Sequence, residues 1–314
     1  MNSETNVDEL EKTNDIVIDQ RGYVMAADGT RLYYRATGSG LPLVCCNGIG
    51  CDTIFWERIH AFLHRRMQVV TWDYKGHGLS ELPRDWNRLG VGDMVDDTIR
   101  IMDNLGIESA IFAGHSMGVQ VNFELWHRHR DRVAGLVAVC GSYGHPLSHF
   151  LHSSLMSYLY PIPFITSCLF PEYTKWLFRT FLRQTIAKPV GYIVGINRHL
   201  MPDEVFNHYL DHLKNMDPRV FAEVMRRLHM HSAEPYLGEI DVPTLIIAGE
   251  ADHFTPLWVP LKMHAVIRGS ELLTIPEGKH VAHMEMPRLV NLRLEEYLQE
   301  HFPGRVLPID PFRE

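Results

Sequence analysis

Two histidines and a glutamate near the carboxyl end of the chain have side chains that could carry out chemistry. His280 and His283 are three residues apart in the segment GKHVAHMEMP, and Glu285 follows two residues later. On a helix this spacing would bring imidazole and carboxylate groups to one face, where they could bind a metal ion. The same residues could instead form a solvated surface, or one histidine could be a general base with distant partners. The segment alone leaves these three alternatives open.

Ser116 lies in a sequence context that is typical of a catalytic nucleophile. Residues 114–118, Gly-His-Ser-Met-Gly, match the pattern G-x-S-x-G between a buried strand and a helical segment. The sharp turn forces Ser116 into a strained backbone conformation, and small residues two before and two after it avoid collisions. Its hydroxyl would lie at a helix N-terminus, whose dipole favours developing negative charge. A small-residue turn with an incidental serine is the alternative, and the strand-to-helix context favours the nucleophile.

A serine hydroxyl is a good nucleophile only when a base accepts its proton. The base would be a histidine, and a carboxylate would fix the tautomer of that histidine. Asp252 follows the apolar run TLIIAG in a loop, and His280 lies in the loop after the last strand. Glu250 competes for the acid role but lies close to the strand end. Asp252 is favoured because a loop carboxylate can reach the loop of a neighbouring strand.

Strands that alternate with helices would have to position these groups. Apolar runs typical of strands buried on both faces occur at 42–46, 67–73, 110–114, 133–141, 243–249 and 271–275. Helical periodicity separates most of them, and two further strands surround the turn Asp28-Gly29. This alternation predicts an α/β protein with a mostly parallel, doubly wound sheet.

The alternation stops between Gly141 and Pro243, where helical patterns replace it. We predict a core at 21–143 and 237–314, an inserted helical lid at 144–236, and a disordered leader at 1–20. Residues 133–171 lack Asp, Glu, Lys and Arg, which favours an apolar pocket or an interface. Packing of the lid residues on one another is the alternative. The residues predicted to bind substrate are Phe150, Leu151, Leu155, Tyr158 and Leu159.

Composition and charge argue against several classes of protein. The 314 residues are 46% hydrophobic and 22% charged, with a formal charge of −8 and no basic stripe, which argues against nucleic acid as a partner. Five cysteines without a C-x-x-C pair, and an acidic N-terminus unlike a signal peptide, favour a reducing, cytoplasmic location. No apolar run is long and clean enough to span a membrane, although the lid could make weak contact with a membrane surface. The sequence does not indicate the oligomeric state.

With these motifs, the chain resembles the α/β-hydrolase fold family over nearly its whole length outside the leader. Members often carry Gly-His-Ser-Met-Gly at the nucleophile and G-x-x-D after the acid strand, as residues 249–252 do. They often carry G-H-x-x-x-x-E-x-P around the catalytic histidine, which residues 279–287 match with Lys279 in place of Gly. The resemblance therefore implies Ser116, Asp252 and His280 as a catalytic triad.

The same resemblance assigns the base to His280, so His283 is left to pack or to hydrogen-bond near the start of the last helix. A metal site has little support, because no third and fourth ligands are visible. We therefore expect neither a metal nor an organic cofactor.

The resemblance also implies an oxyanion hole, which needs two backbone N–H groups. These would belong to Met117 and to Ile49 in the loop CNGIGC. Asn47 occupies the position where the family usually has a histidine. In the family that histidine braces the loop, and the sequence does not show which residue braces it here. The turn DYKGHGLS at 73–80 resembles the family's D-x-R-G-x-G-x-S, with Lys75 for Arg, and is interpreted as structural.

What the resemblance implies for function is a serine hydrolase that cleaves small-molecule carboxylic esters through an acyl-enzyme intermediate, like an esterase or lipase. The apolar lid favours an apolar acyl group. Haloalkane dehalogenases and epoxide hydrolases of this fold use an aspartate nucleophile, and Ser116 argues against both. A lactonase or a carbon–carbon bond hydrolase would use the same triad. Outside the enzymes, the alternative is a ligand-binding receptor with slow turnover.

Overall fold

Eight strands form one sheet at the centre of the computed structural model, which describes residues 19–150 and 153–306. The sheet order is β1-β2-β4-β3-β5-β6-β7-β8; β2 pairs antiparallel with β1 and β4, and the other pairs are parallel. The mostly parallel sheet predicted from the sequence is therefore confirmed. The strands are Asp19–Met25 (β1), Arg31–Thr37 (β2), Pro42–Cys46 (β3), Gln68–Trp72 (β4), Ala110–His115 (β5), Val133–Val139 (β6), Thr244–Gly249 (β7) and Glu271–Ile275 (β8).

Helices surround the sheet and also fill the segment between β6 and β7. Short 3-10 helices lie at Thr53–Trp56, Arg130–Arg132 and Glu234–Glu239. The α-helices are Glu57–Leu63 (α1), Val91–Asn104 (α2), Met117–Arg128 (α3), Pro146–His149 (α4), Leu155–Leu159 (α5), Pro161–Leu169 (α6), Pro171–Phe181 (α7), Gln184–Val194 (α8), Asp203–Asn215 (α9), Pro218–Met230 (α10), Trp258–Val266 (α11), Ala282–Glu285 (α12) and Pro287–His301 (α13).

The central strands are buried on both faces because helices cover both sides of the sheet. Along β3, Val44 and Cys46 belong to a core cluster that includes residues of α2 and α3. Leu43 and Cys45 belong to a second cluster, with residues of α1 and α13. Since alternate side chains of a strand point to opposite faces, a fully apolar strand is needed at this position.

The first strand begins at Asp19, two residues before the predicted start of the core at residue 21. Asp19 pairs with Thr37 across the β1–β2 ladder, and its carboxylate accepts hydrogen bonds from Arg35 and Thr37. These cross-strand partners bring the two residues 19 and 20 into the sheet. Residues 1–18 of the predicted leader lie outside the described residues.

The inserted segment is helical, as its sequence pattern predicts, but its first apolar face is divided. Leu147 lies in α4, whereas Leu155 is the first residue of α5, and its amide donates to the Ser153 hydroxyl at 3.2 Å. Leu151 lies outside the described residues. Further along, Asp217 caps α10 by accepting from the Arg219 amide at 2.9 Å, with Pro218 as the first helical residue.

No helix among the described residues is long and apolar enough to cross a bilayer.

Candidate active site

Ser116 occupies a strained turn between β5 and α3. Its φ of 53° and ψ of −110° lie outside the regions that non-glycine residues usually adopt. A Cβ at Gly114 would lie 2.5 Å from the carbonyl carbon of Gly118, and one at Gly118 would lie 2.1 Å from the Cys46 carbonyl oxygen. Only glycine fits at these two positions, and the close backbone approach holds the Ser116 side chain at the start of α3.

The three side chains predicted to form the triad lie in one hydrogen-bonded chain. Ser116 Oγ is 2.9 Å from His280 Nε2, and His280 Nδ1 is 2.9 Å from Asp252 Oδ2. A neutral imidazole with its proton on Nδ1 donates to Asp252, and its Nε2 is then free to accept the serine hydroxyl proton. Side chains from positions 116, 252 and 280 are thus brought into the arrangement that a nucleophile, an orienting acid and a base would need.

Asp252 is held in place by its own loop. Its Oδ1 accepts from the amides of Phe254 and Thr255 at 2.7 and 3.0 Å, and its Oδ2 accepts from the Thr255 hydroxyl at 2.6 Å. The carboxylate is buried. Glu250, the competing acid in the sequence, is exposed, and its amide donates to the Ile275 carbonyl of β8. The acid that contacts His280 is therefore Asp252.

His283 lies behind the triad as a buried hydrogen-bond donor. Its Nε2 donates to the Phe55 carbonyl at 3.0 Å, and its ring centroid is 4.8 Å from that of His115. Burial lowers the pKa of His283 to about 3, so the ring is neutral near neutral pH. This arrangement suits packing and leaves the ring without access to a reacting group.

The described residues do not bring His280, His283 and Glu285 together as metal ligands. Across residues 19–150 and 153–306, the acidic and histidine side chains close enough to share an ion are Glu271, Glu300 and His301, at β8 and the end of α13. Arg293 already forms an ion pair with Glu271 there. The segment GKHVAHMEMP therefore supplies one histidine that is hydrogen-bonded to Ser116 and Asp252, and a second histidine that packs behind it.

The loop after β3, which is predicted to carry one of the oxyanion amides, is braced by the side chain of Asn47. Its Nδ2 donates to the Trp72 carbonyl at 2.8 Å, and its Oδ1 accepts from Trp56 Nε1 at 2.7 Å. A Cβ built on Gly48 would lie 3.2 Å from the Cβ of Ser116, so the loop lies directly against the nucleophile position. Asn47 thereby supplies the bracing that the sequence alone did not account for.

His77 gives this loop a second brace that was not recognised in the sequence. Its Nε2 accepts from the Gly50 amide at 3.1 Å, and its Nδ1 donates to the Lys75 carbonyl at 3.1 Å. Burial lowers the pKa of His77 to about 4, which keeps the ring neutral and able to accept. His77 is part of the motif DYKGHGLS, but its contact with the loop after β3 is visible only in the folded structure.

Met117 is the first residue of α3, where helix amides lack intrahelical partners.

Removal of the Asn47 side chain should destabilise the protein. Asn47→Ala leaves the buried Trp56 N–H and the Trp72 carbonyl without partners, which should cost about 3 kcal/mol. Urea unfolding monitored by circular dichroism measures this loss. Asn104→Ala, at an exposed asparagine of α2, is the matched control and should change the free energy of unfolding by less than about 1 kcal/mol. Equal losses in the two variants would contradict the bracing function.

Comparison with known proteins decides the family. A model described as the alpha/beta hydrolase family matches residues 43–292. This chain belongs to the alpha/beta hydrolase family. The uncharacterized hydrolase YugF of Bacillus subtilis is 21% identical over 277 residues, which cover 87% of this chain and 96% of YugF. Two further relatives are matched over 41% and 57% of their own length.

Solved structures of alpha/beta hydrolases have the same fold. An esterase from Exiguobacterium antarcticum superposes with a TM-score of 0.71 at 18% identity, covering 89% of this chain and 100% of the esterase. The enol-lactonase from Burkholderia xenovorans LB400 superposes with a TM-score of 0.73 at 21% identity, covering 88% of this chain and 100% of the lactonase.

In this alpha/beta hydrolase, the inserted helices contact the loop that carries His280. The His280 amide donates to the Gly195 carbonyl at 3.0 Å, just beyond the end of α8. Lys279, which stands where the family usually has glycine, donates from Nζ to the Ile193 carbonyl at 3.1 Å and so caps the C-terminal end of α8. Glu285 accepts from the amides of Asn197 and Lys279. The histidine loop and the end of α8 are thus joined by several hydrogen bonds.

Of the residues predicted to bind substrate, Phe150 comes near the triad. Its ring centroid is 5.0 Å from that of Phe254, which is 4.8 Å from that of His280. Phe254 was not singled out in the sequence, because nothing in the pattern shows that it turns toward the histidine.

Three other predicted pocket residues are on the surface. Leu155, Tyr158 and Leu159 are 57, 78 and 44% exposed. The structure therefore does not place them in an enclosed acyl pocket. Of the predicted residues, Phe150 alone is placed near the triad among those that the structure describes. Together with Phe254 it forms an aromatic wall beside His280.

Proposed function

We propose that this alpha/beta hydrolase cleaves carboxylic esters with Ser116 as the nucleophile. The observation that carries the proposal is the unbroken chain from Ser116 Oγ through His280 to Asp252, with 2.9 Å at each step. A serine in a strained turn at a helix N-terminus, with a base already within hydrogen-bond reach, is suited to acyl transfer.

The proposed reaction proceeds in two halves. In the first, Ser116 Oγ attacks the ester carbonyl while His280 Nε2 accepts the hydroxyl proton and then passes it to the leaving alcohol. The amides of Ile49 and Met117 donate to the oxyanion of the tetrahedral intermediate. In the second half, His280 takes a proton from water as the water oxygen attacks the acyl carbonyl; the bond between Ser116 Oγ and the acyl carbon then breaks, His280 returns the proton to Ser116 Oγ, and the carboxylic acid leaves. Asp252 keeps the Nδ1 proton directed away from the serine throughout. No metal or organic cofactor takes part.

The proposed substrate has an apolar acyl group, and the inserted helices act as the lid. The support comes from the aromatic wall of Phe150 and Phe254 beside His280, together with the contact of the Gly195 carbonyl with the histidine loop. An apolar chain that lies along this wall would bury apolar surface of the chain and of the exposed Phe254 ring, and such burial favours binding.

A series of p-nitrophenyl esters from acetate to octanoate tests the apolar acyl site. Each added methylene should raise kcat/KM by up to roughly fourfold, equivalent to about 0.8 kcal/mol, until the site is full. Phe150→Asp should reduce the rate for hexanoate more than for acetate. Leu155→Asp places the same carboxylate at an exposed position of α5 and is the matched control. A flat chain-length profile that Phe150→Asp leaves unchanged would contradict the apolar site.

The same triad could open a lactone or cleave a carbon–carbon bond, and substrate competition separates these reactions. For an esterase, kcat/KM for hexanoate esters should exceed that for aliphatic lactones and for vinylogous 1,5-diketones. A preference for either of the latter would move the assignment to lactonase or carbon–carbon bond hydrolase. A single burst of p-nitrophenol without subsequent turnover would instead indicate a receptor.

A further inference from the structure

The outer surface of the inserted helices is unusually apolar. Fourteen of the 24 large apolar side chains that are exposed among the described residues lie between residues 155 and 193, in α5 to α8. They include Leu169, Trp176 and Ile193, at 66, 60 and 68% exposure. On their inner side α6 and α7 pack against α10, and α8 packs against α9. We call these exposed side chains of residues 155–193 the apolar face.

Positive charge lies within the same segment. Residues 155–193 contain two lysines and two arginines against one acidic residue, Glu172, in a protein whose formal charge is −8. Lys175, Arg179 and Arg183 line a cleft of about 340 Å³ together with Glu172, Trp176 and Thr180. The cleft therefore presents three cations around an exposed tryptophan.

We propose that the apolar face docks on an anionic lipid bilayer, with Lys175, Arg179 and Arg183 at the level of the headgroup phosphates. Apolar side chains next to lysine and arginine on one amphipathic surface bind at the membrane interface, where anionic lipids attract the cations. Tryptophan and tyrosine prefer the same interface, and Trp176, Tyr158 and Tyr173 are exposed on this face.

A bilayer fits this surface better than a second copy of the chain. A symmetric dimer through the apolar face would bring the same patch of each copy together. Such an interface would enclose Lys175, Arg179 and Arg183 of both copies, six cations against the two Glu172 carboxylates, and like charges at close range repel. An anionic bilayer instead offers a charge of opposite sign across the whole face.

Docking on this face would bring the lipid surface to the mouth of the candidate site. Ile193, at the end of the apolar face, is two residues from Gly195, whose carbonyl accepts the hydrogen bond from the His280 amide. A substrate dissolved in the bilayer could then approach His280 along α8. The docking itself does not depend on Ser116 being a nucleophile, so binding and activity can be tested separately.

Vesicle flotation with the full-length protein tests the docking. The protein should float with vesicles of phosphatidylcholine and phosphatidylglycerol at low salt and far less with phosphatidylcholine alone. In about 1 M NaCl, where the Debye length is about 3 Å, the contribution of the anionic lipid should be lost. Failure to float with the anionic vesicles at low salt would overturn the proposal.

Charge variants locate the binding surface. Lys175→Gln with Arg183→Gln should weaken partitioning to anionic vesicles by about fivefold per charge, and Glu172→Gln should strengthen it by about fivefold. Arg58→Gln with Arg100→Gln removes the same charge from exposed positions of α1 and α2 and is the matched control. Equal weakening in the two double variants would mean that net charge alone drives binding and would overturn the assignment to this face.

Apolar variants separate a bilayer from a second copy. Leu169→Ser with Trp176→Ser should weaken vesicle binding by roughly tenfold, because apolar surface no longer inserts. Leu292→Ser, at an exposed position of α13, should leave binding unchanged. Light scattering should show a monomer for the native protein and for these variants. A native dimer that the Leu169 and Trp176 changes convert to a monomer, without vesicle binding, would overturn the proposal in favour of self-association.

Discussion

Ser116→Ala is expected to lower kcat/KM for p-nitrophenyl butyrate by on the order of 10⁴-fold or more. Alanine keeps the Cβ of Ser116, so the elbow between Gly114 and Gly118 should still form, whereas the atom that attacks the carbonyl is lost. The residual rate would come from the oxyanion amides and the binding site alone. Steady-state kinetics, with circular dichroism to verify folding, measure the effect.

Ser109→Ala is the matched control, since Ser109 precedes β5 and Ser116 follows it. Both side chains are partly buried, and neither substitution changes charge. The Ser109 variant should retain activity within a factor of a few. Comparable losses in the two variants would show that the loss at residue 116 comes from disturbing the strand rather than from removing a nucleophile.

His280→Ala should lower kcat by on the order of 10³-fold or more, because the serine proton then has no acceptor within reach. His283→Ala should have a much smaller effect on kcat. It should instead reduce the free energy of unfolding by about 2 kcal/mol, because it leaves a cavity beside His115 and an unpaired Phe55 carbonyl. The two histidines therefore separate into one that affects rate and one that affects stability.

A metal-dependent reaction would give a different pattern in the same variants. Equal losses of kcat for His280→Ala and His283→Ala, together with activity removed by a chelator and restored by zinc, would contradict the assignment of His280 as a general base. Treatment of the native protein with EDTA is expected to leave the rate unchanged.

Much of the core could be predicted from the sequence because its strands are apolar on both faces. The run at 42–46 coincides with β3, and the runs at 67–73 and 271–275 differ from β4 and β8 by at most one residue at each end. The contacts of Ser116, Asp252 and His280 also follow from the sequence, since residues after parallel strands meet at the carboxyl edge of a sheet. That these three act as a triad stays a prediction until the variants are measured.

The inserted helices were less predictable because their positions depend on tertiary contacts. Helical periodicity identified the apolar positions of α5 but could not show which side faces the core, and Leu155 and Tyr158 turned out to be exposed. Phe254 and Asn47 act through partners that are close in space and carry no motif of their own. In both cases the missing information is the packing of one element on another.

Labelling with a fluorophosphonate probe tests the central proposal, that Ser116 is the nucleophile, most directly. The probe phosphonylates an activated serine and stays attached, so peptide mass spectrometry identifies the residue. We expect a single adduct on the peptide that contains Ser116, absent from Ser116→Ala and strongly slowed in His280→Ala. An adduct on another residue, or labelling that persists in Ser116→Ala, would contradict the proposal.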